Sequence, residues 1–331
     1  MRVFEREILD FIRGCVSDAG GECCMAPGTG VARQVDNDTA GCLKGMKGMK
    51  GMKGMVACMC IGGLNVLRCG EEGLAVVMVP MDYFSEGGTV EDIVRAGEES
   101  GAGDLVFLYE DRWRGSGPLV RAMLRVRMGG GQRVFARNCT VRRIDAETAA
   151  AFLEHNHVYG AAKAPFRLGL FRKRSTGRTE APMDLTPQLV AVALFSDGRM
   201  MEDGALSCGP YLSYEWVRYA SVRDLRVTGG MGRLLEAFVE ARRQEGTAGP
   251  LEVMTYADLE WYDGRSYVRL GFEDCGYRPP VAFLCTVDGG MRVHEGKIRS
   301  DRRFRHLAGE TDGMARIFNL GSRKFVRVFQ F

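Results

Sequence analysis

Arg226-Val227-Thr228-Gly229-Gly230-Met231-Gly232-Arg233-Leu234-Leu235-Glu236-Ala237-Phe238-Val239 is the stretch that orders the rest of the chain. Three glycines in four residues follow the short β-branched run of Val227 and Thr228. Apolar residues then recur at Leu234, Leu235, Phe238 and Val239, the period of an amphipathic helix, which runs to Arg243. A helix entered through glycines offers free N–H groups to phosphate or pyrophosphate. Arg226, Gly229, Gly230 and Gly232 are therefore candidates for holding a cofactor phosphate. The alternative is a tight strand-to-helix turn that binds nothing.

Working outward, Leu251 to Tyr256 reads as a buried strand and Gly264 to Leu270 as a short helix, with Phe272, Val281 to Val287 and Phe325 to Phe329 finishing the sheet. Upstream, Val134 to Ile144 reads as one strand, and Asp145 caps a helix through Phe152 and Leu153. Leu168–Phe171, Leu189–Phe195 and Tyr214–Ala220 are further strands. Mixed strands around a glycine-opened helix predict an α/β sheet with a cleft at that helix, over residues 131–331. Residues 1–130 predict a smaller α/β domain. It has a helix on Phe4, Ile8, Leu9, Phe11 and Ile12, strands at Leu64–Leu67 and Leu74–Val79, a helix capped by Thr89, a strand at Leu105–Tyr109 and a basic helix at Leu119–Met128. The expected class is α/β (α+β) in two domains. Lys44 to Met55 reads KGMKGMKGMKGM. Glycine at every third place weakens a helix by ~1 kcal/mol per residue against alanine, so residues 42–56 are expected to be a disordered basic insert.

Composition narrows the class further. The chain has 331 residues, 46% of them hydrophobic and 26% charged, too apolar and too balanced in charge for wholesale disorder. No apolar run approaches the ~20 residues of a membrane span. Met1 to Gly14 carries too many charges for a secretory signal. A soluble cytoplasmic protein is expected, with no membrane partner. The net charge is only +3, but Arg112 to Arg143 holds nine arginines and no acid. Such a run predicts contact with a polyanion, and DNA through Arg121, Arg125 and Arg127 in particular. The plainer reading is a set of solvated strand and helix flanks. Seven of the 11 cysteines precede residue 70, with one CC and one CxC pair among them and no nearby histidine. Zinc sites favour CxxC pairs, so reduced thiols are the default.

Two clusters could carry chemistry. Phe152 to Gly160 places His155 and His157, two of the four histidines, beside Asn156 and Tyr159 at a helix end. Histidine binds metal or moves a proton near neutral pH. Tyr256 and Asp258 sit at the carboxyl end of a buried strand, where crevices of α/β sheets form. Tyr267 adds a second phenol; the alternative for it is packing beside Leu270 and Phe272.

These segments, with Glu215-Trp-Val-Arg218-Tyr-Ala, Ser266-Tyr-Val-Arg-Leu-Gly-Phe272 and Ile317-Phe-Asn-Leu-Gly-Ser-Arg-Lys-Phe325, occur in an order that resembles the carboxyl-terminal domain of phage-encoded, homing-endonuclease-like proteins. That domain is similar in turn to the GNAT-like Mom proteins, which modify adenine in phage DNA. The glycine run departs from the GNAT pattern R/Q-x-x-G-x-G/A in having Met231 where a small residue stands. The resemblance covers residues 134–329. It implies base modification with an acyl-CoA-like donor, a metal ion such as iron, or both. His157, Tyr256, Asp258 and Tyr267 would be catalytic, His157 a metal ligand, and Arg218 a DNA contact. The first half resembles a Vsr-like nuclease of the PD-(D/E)xK class: Glu5-Arg-Glu-Ile-Leu-Asp-Phe-Ile its first helix, Leu105 to Trp113 its late strand and acidic turn. Its two intervening strands carry no acid, so the resemblance implies a fold that has lost cleavage. The alternative for the whole chain is a catalytically inactive DNA-binding protein of mobile-element origin.

Overall fold

The computed structural model of the chain describes residues 1–18, 56–70, 73–172, 188–202, 210–246, 249–308 and 313–330. The KGM repeat and Cys23, Cys24 and Cys42 lie outside the described residues. In chain order the first elements are α1 (Val3–Asp18), β1 (Val56–Ile61), β2 (Leu64–Cys69), β3 (Leu74–Val79), α2 (Val90–Glu99), β4 (Asp104–Tyr109), α3 (Glu110–Gly115) and α4 (Gly117–Arg127). Next come β5 (Gln132–Phe135), β6 (Cys139–Arg143), α5 (Ala146–Asn156), β7 (Phe166–Arg172), β8 (Leu189–Phe195), β9 (Arg199–Met201), β10 (Tyr211–Ser221), β11 (Leu225–Thr228), α6 (Gly230–Gln244) and β12 (Leu251–Asp258). The last are α7 (Arg265–Val268), β13 (Glu273–Arg278), β14 (Ala282–Thr286), β15 (Arg292–His294), α8 (Glu295–Ser300), β16 (Met314–Phe318) and β17 (Ser322–Phe329). The class is mixed α/β.

The chain folds into two compact units that interleave in sequence. Unit 1 comprises Met1–Gly130, Asp258–Asp263 and Tyr277–Ser322; unit 2 comprises Gly131–Ala257, Gly264–Gly276 and Arg323–Phe331.

In unit 1 the sheet order is β1-β2-β3-β4, antiparallel except for the parallel pair β3–β4. All six residues of β3 are buried. Val76 and Met78 pack with Phe4, Ile8 and Ile12 of α1; Val77 and Val79 pack with Ile93 and Ala96 of α2. A strand covered on both faces reads as a continuous apolar run. The helix α2 starts at Thr89, whose side chain accepts the Asp92 N–H at 3.2 Å. Val281 to Val287 does not finish the large sheet as the sequence predicts. Its strand β14 instead forms a three-stranded sheet, β15-β14-β16, and Phe283, Cys285 and Ile317 join the core of unit 1. A short apolar run announces a buried strand and says nothing about its partner.

Unit 2 is built on the sheet β13-β17-β12-β10-β8-β7-β6, with β9 on the side of β10. Strands β6, β7, β8 and β10 are antiparallel, and β10 with β12 is parallel. Phe238 of α6 stacks on Phe195 of β8, centroids 3.9 Å apart, at the centre of its core. Val134 to Ile144 is two strands, not one. A single 3-10 turn at Ala136–Asn138 breaks it, and β5 pairs in parallel with β11. Asp145 caps α5 as expected, its carboxylate accepting the Thr148 N–H at 2.7 Å.

Candidate functional site

The centre of unit 2 is the place where its parallel pair comes apart. Strands β10 and β12 are laddered only from Leu212–Glu215 to Leu251–Met254. Both continue, to Ser221 and Asp258, without pairing further with each other. At the first unpaired step the Thr255 hydroxyl donates to the Trp216 carbonyl at 3.1 Å, a side-chain bond where the ladder bond would stand. On its other edge β10 shifts register against β8 between Trp216 and Arg218, a bulge that bends the strand. Crevices of this kind, beyond the carboxyl ends of parallel strands, are where open α/β sheets take ligands.

Tyr267 sits at that point. Its ring packs in the core against Trp216, Phe272 and Phe325, at centroid distances of 6.0, 5.7 and 5.5 Å. Its hydroxyl lies 3.5 Å from Thr255 Oγ1. The packing reading of Tyr267 and a phenol at the crevice are both present in one residue. Gly264, with φ 85°, lets the chain enter α7, and a Cβ there would strike the Phe325 ring.

Two residues past the parting, Arg218 gathers the histidine cluster. Its guanidinium stands 5.7 Å over the ring of Tyr159, and that ring is 6.0 Å from His157. Burial lowers the pKa of Arg218, and its Nε is buried without a hydrogen-bond partner among the described residues. His157 is the residue at which α5 ends, and its Nδ1 accepts the Tyr159 N–H at 3.1 Å. His155 turns back to the Ala151 carbonyl at 2.8 Å. Tyr159, in sequence only a neighbour of the histidines, is the link between histidine and arginine.

The other candidates are placed differently. Tyr256 is exposed on the end of β12 that has left β10. Asp258 closes that strand and belongs to unit 1, where its Oδ1 accepts the Glu260 N–H at 3.0 Å as a turn cap. In the glycine turn, Gly229 takes the left-handed conformation, φ 79°, directly before α6. Gly230 is buried, and a Cβ on it would stand 2.8 Å from Tyr219 Oη and Val227 Cγ1. A Cβ on Gly232 would meet Leu270 at 3.2 Å. Turn geometry and close helix packing account for Gly229 and Gly230. Arg226 is exposed on β11.

Among the described residues no three His, Cys, Asp or Glu come together in a way that could hold a metal ion. His157, with its Nδ1 already accepting a backbone N–H, has no such set of ligands around it among those residues.

The arginines of α4 are occupied within unit 1. Arg127 pairs with Asp104 at 2.6 Å and bonds the Trp261 carbonyl; Arg121 stacks over Trp113 at 4.1 Å and Arg125 over Phe11 at 5.7 Å. Unit 1 also holds a buried ionic cluster that the sequence does not announce. Arg292 bonds Glu260 and lies 3.4 Å from Asp111 Oδ2, all three side chains 5% exposed or less. Burial pushes the Glu260 carboxyl up to about 7 against the pull of Arg292. Burial also raises the nearby Cys285 thiol, to about 12. The one signal in the sequence is a carboxylate between two large apolar residues, Leu259 and Trp261. An open pocket of about 410 Å³ in unit 1 is lined by Arg2, Glu5, Asn65, Tyr83, Glu86 and Asp92, and Arg2 is itself bonded to Asp82 and Glu86. No described helix is long and apolar enough to cross a membrane.

No family model and no curated protein matches the chain. Among solved structures, it is similar to a chain of the NatC complex bound to Gag peptide and CoA, with 7% identity and a TM-score of 0.29, over 59% of this chain and 99% of that one. It is also similar to a chain of the KacTA–DNA complex, with 22% identity and a TM-score of 0.27, over 42% and 86%.

Proposed function

We propose that unit 2 is a GNAT-like, Mom-related module that transfers a small acyl-derived group from a CoA-type donor to a base of DNA. The observation that carries this is the parting of β10 from β12 at Trp216 and Thr255, at the carboxyl end of a parallel pair, where open α/β sheets take ligands. The helix joining the two strands begins at the Gly229–Gly232 turn, where its first N–H groups have no partner inside the helix and suit a pyrophosphate.

In this reading the exocyclic amine of the base forms a bond to the acyl carbon and its proton passes to His157. The carbon–sulfur bond breaks, and the leaving thiolate takes the proton of Tyr267, whose hydroxyl lies at the parting. Arg218 and Tyr159 orient His157 and the base. The base must be extruded from the duplex, at a cost of a few kcal/mol. Unit 1 is the companion nuclease-like domain without cleavage chemistry, consistent with β2 and β3 carrying no acid and β3 being buried throughout.

The test is mass spectrometry of nucleosides from DNA co-expressed with the protein, together with calorimetry of acetyl-CoA binding. A modified nucleoside that disappears in Tyr267→Phe, with the fold and donor binding kept, supports the reading. Unmodified DNA together with no heat from the donor overturns it.

A further inference from the structure

The nine arginines of the acid-free run divide between the two units. Those of α4 are half-buried: Arg127 pairs with Asp104, and Arg121 and Arg125 lie along the rings of Trp113 and Phe11. Those that follow residue 130 belong to unit 2, where Arg133, Arg137, Arg142 and Arg143 are exposed. Two of the exposed cations of unit 2 stand side by side. The parallel pair β5–β11 is in register Arg133↔Arg226, with Val134↔Val227 next to it. Val134 is buried and Val227 packs against the same core, so the alternation along each strand turns Arg133 and Arg226 outward together. The next outward rung is Phe135↔Thr228, and the Arg137 guanidinium lies 4.7 Å over the Phe135 ring.

Neighbouring strands are ~4.8 Å apart, and like charges on one rung repel. Among the described residues no carboxylate pairs with Arg133, Arg137 or Arg226. A face with three guanidinium groups, a threonine hydroxyl and one aromatic ring, on two strands that contain no acid, is complementary to a row of phosphates. It presents no exposed aliphatic stripe of the kind that enters a bilayer.

We infer that the outer face of β5 and β11, carrying Arg133, Arg226, Thr228 and Arg137, is the surface on which unit 2 holds the phosphate backbone of duplex DNA. The inference rests on DNA being the acceptor in the proposed function, and it moves the backbone contact from α4 to this two-stranded sheet. Arg133 and Arg226 each neutralise a phosphate, and Thr228 donates its hydroxyl to a phosphate oxygen. Contacts of this kind set position and register and carry no sequence information.

The test is the salt dependence of binding to a fluorescent 30-base-pair duplex, followed by anisotropy with the full chain. Each phosphate contact contributes a slope of about −0.9 in log affinity against log salt. The Arg133→Ala/Arg226→Ala double variant is expected to flatten the slope by about 1.8. The Arg133→Lys/Arg226→Lys variant restores it, because a lysine also neutralises a phosphate. Arg121→Ala/Arg125→Ala leaves it where the wild type has it. An unchanged slope in the first variant, or a flattening in the third, overturns the assignment even when the wild type binds and modifies DNA. Loss of acetyl-CoA binding with an unchanged DNA slope would give the rung to the donor instead, and also overturns it. A wild-type chain that binds no duplex at low salt removes both this inference and DNA as the acceptor, while donor binding and transfer to another acceptor would remain measurable.

Discussion

In unit 1 the parallel pair β3–β4 is joined through α2, in unit 2 the parallel pair β10–β12 is joined through β11 and α6, and the two pairs end differently. In unit 1, β3 and β4 are laddered along their full length, from Leu74–Asp104 to Val79–Tyr109. The residues that follow close the end from inside: the Glu110 carboxylate accepts the Met81 N–H at 2.9 Å and takes Arg114 at 2.5 Å. In unit 2, β10 and β12 stop pairing after four rungs, and a bulge, a threonine bridge and a phenol stand at the parting. The first end is closed by a carboxylate that takes a backbone N–H; at the second the ladder fails and a threonine hydroxyl bridges the two strands. Topology alone does not set where a parallel pair ends: the side chains at the last rung decide it.

The largest effect should come from the cluster that stiffens the closed unit. Arg292→Ala removes the cation bonded to the buried Glu260 and Asp111 and leaves Arg112 as the remaining cation near Glu260, and breaking such a pair costs about 3–5 kcal/mol. Hydrogen exchange should show the loss in β3 and not in β10. Equal loss in both strands would break the comparison.

A pH effect of comparable size belongs to the same carboxylate. Glu260 has its folded pKa raised, from an ordinary value near 4.5 to about 7. Its contribution to stability is therefore fully present below the unfolded pKa and is lost as pH rises through about 7. The change is on the order of 3 kcal/mol. Urea unfolding at a series of pH values should lose that slope in Glu260→Gln. A slope that persists would assign the titration to another group.

On the open side, Gly230→Ala places a methyl against Tyr219 and Val227 and should destabilise unit 2 by about 1–3 kcal/mol. Tyr219→Phe, which removes one of the two obstructing atoms, should recover part of it in thermal unfolding. No recovery would show that the glycine is needed for something other than packing. The smallest effect is at the parting itself. Thr255→Val removes the hydroxyl that bridges to the Trp216 carbonyl and should cost about 1 kcal/mol. If that hydroxyl holds the strands together where the ladder fails, exchange should rise at the Glu215 and Met254 rung next to it and nowhere in β3–β4.

Local pattern was enough for much of this protein. The apolar spacing of Phe4, Ile8, Leu9 and Ile12 predicts α1, and those residues are its buried face. Thr89 and Asp145 announce their helices because a cap is a bond between residues three apart. The glycine run announces a turn and a helix because left-handed backbone and close packing both require glycine there. What lay beyond reach depended on partners distant in the chain. Val134 to Ile144 is one apolar-basic run in sequence, and only its pairing with Leu225–Thr228 on one side and β7 on the other splits it into two strands. The residues 258–263 follow a strand of unit 2 without a break in pattern, yet Leu259 and Trp261 are taken into the cores of unit 1. The same reason divides the arginines. Net charge and clustering are properties of the chain, but whether a guanidinium meets a carboxylate, an aromatic ring or water is settled by the tertiary structure, which gives Arg127 to Asp104 and leaves Arg133 beside Arg226.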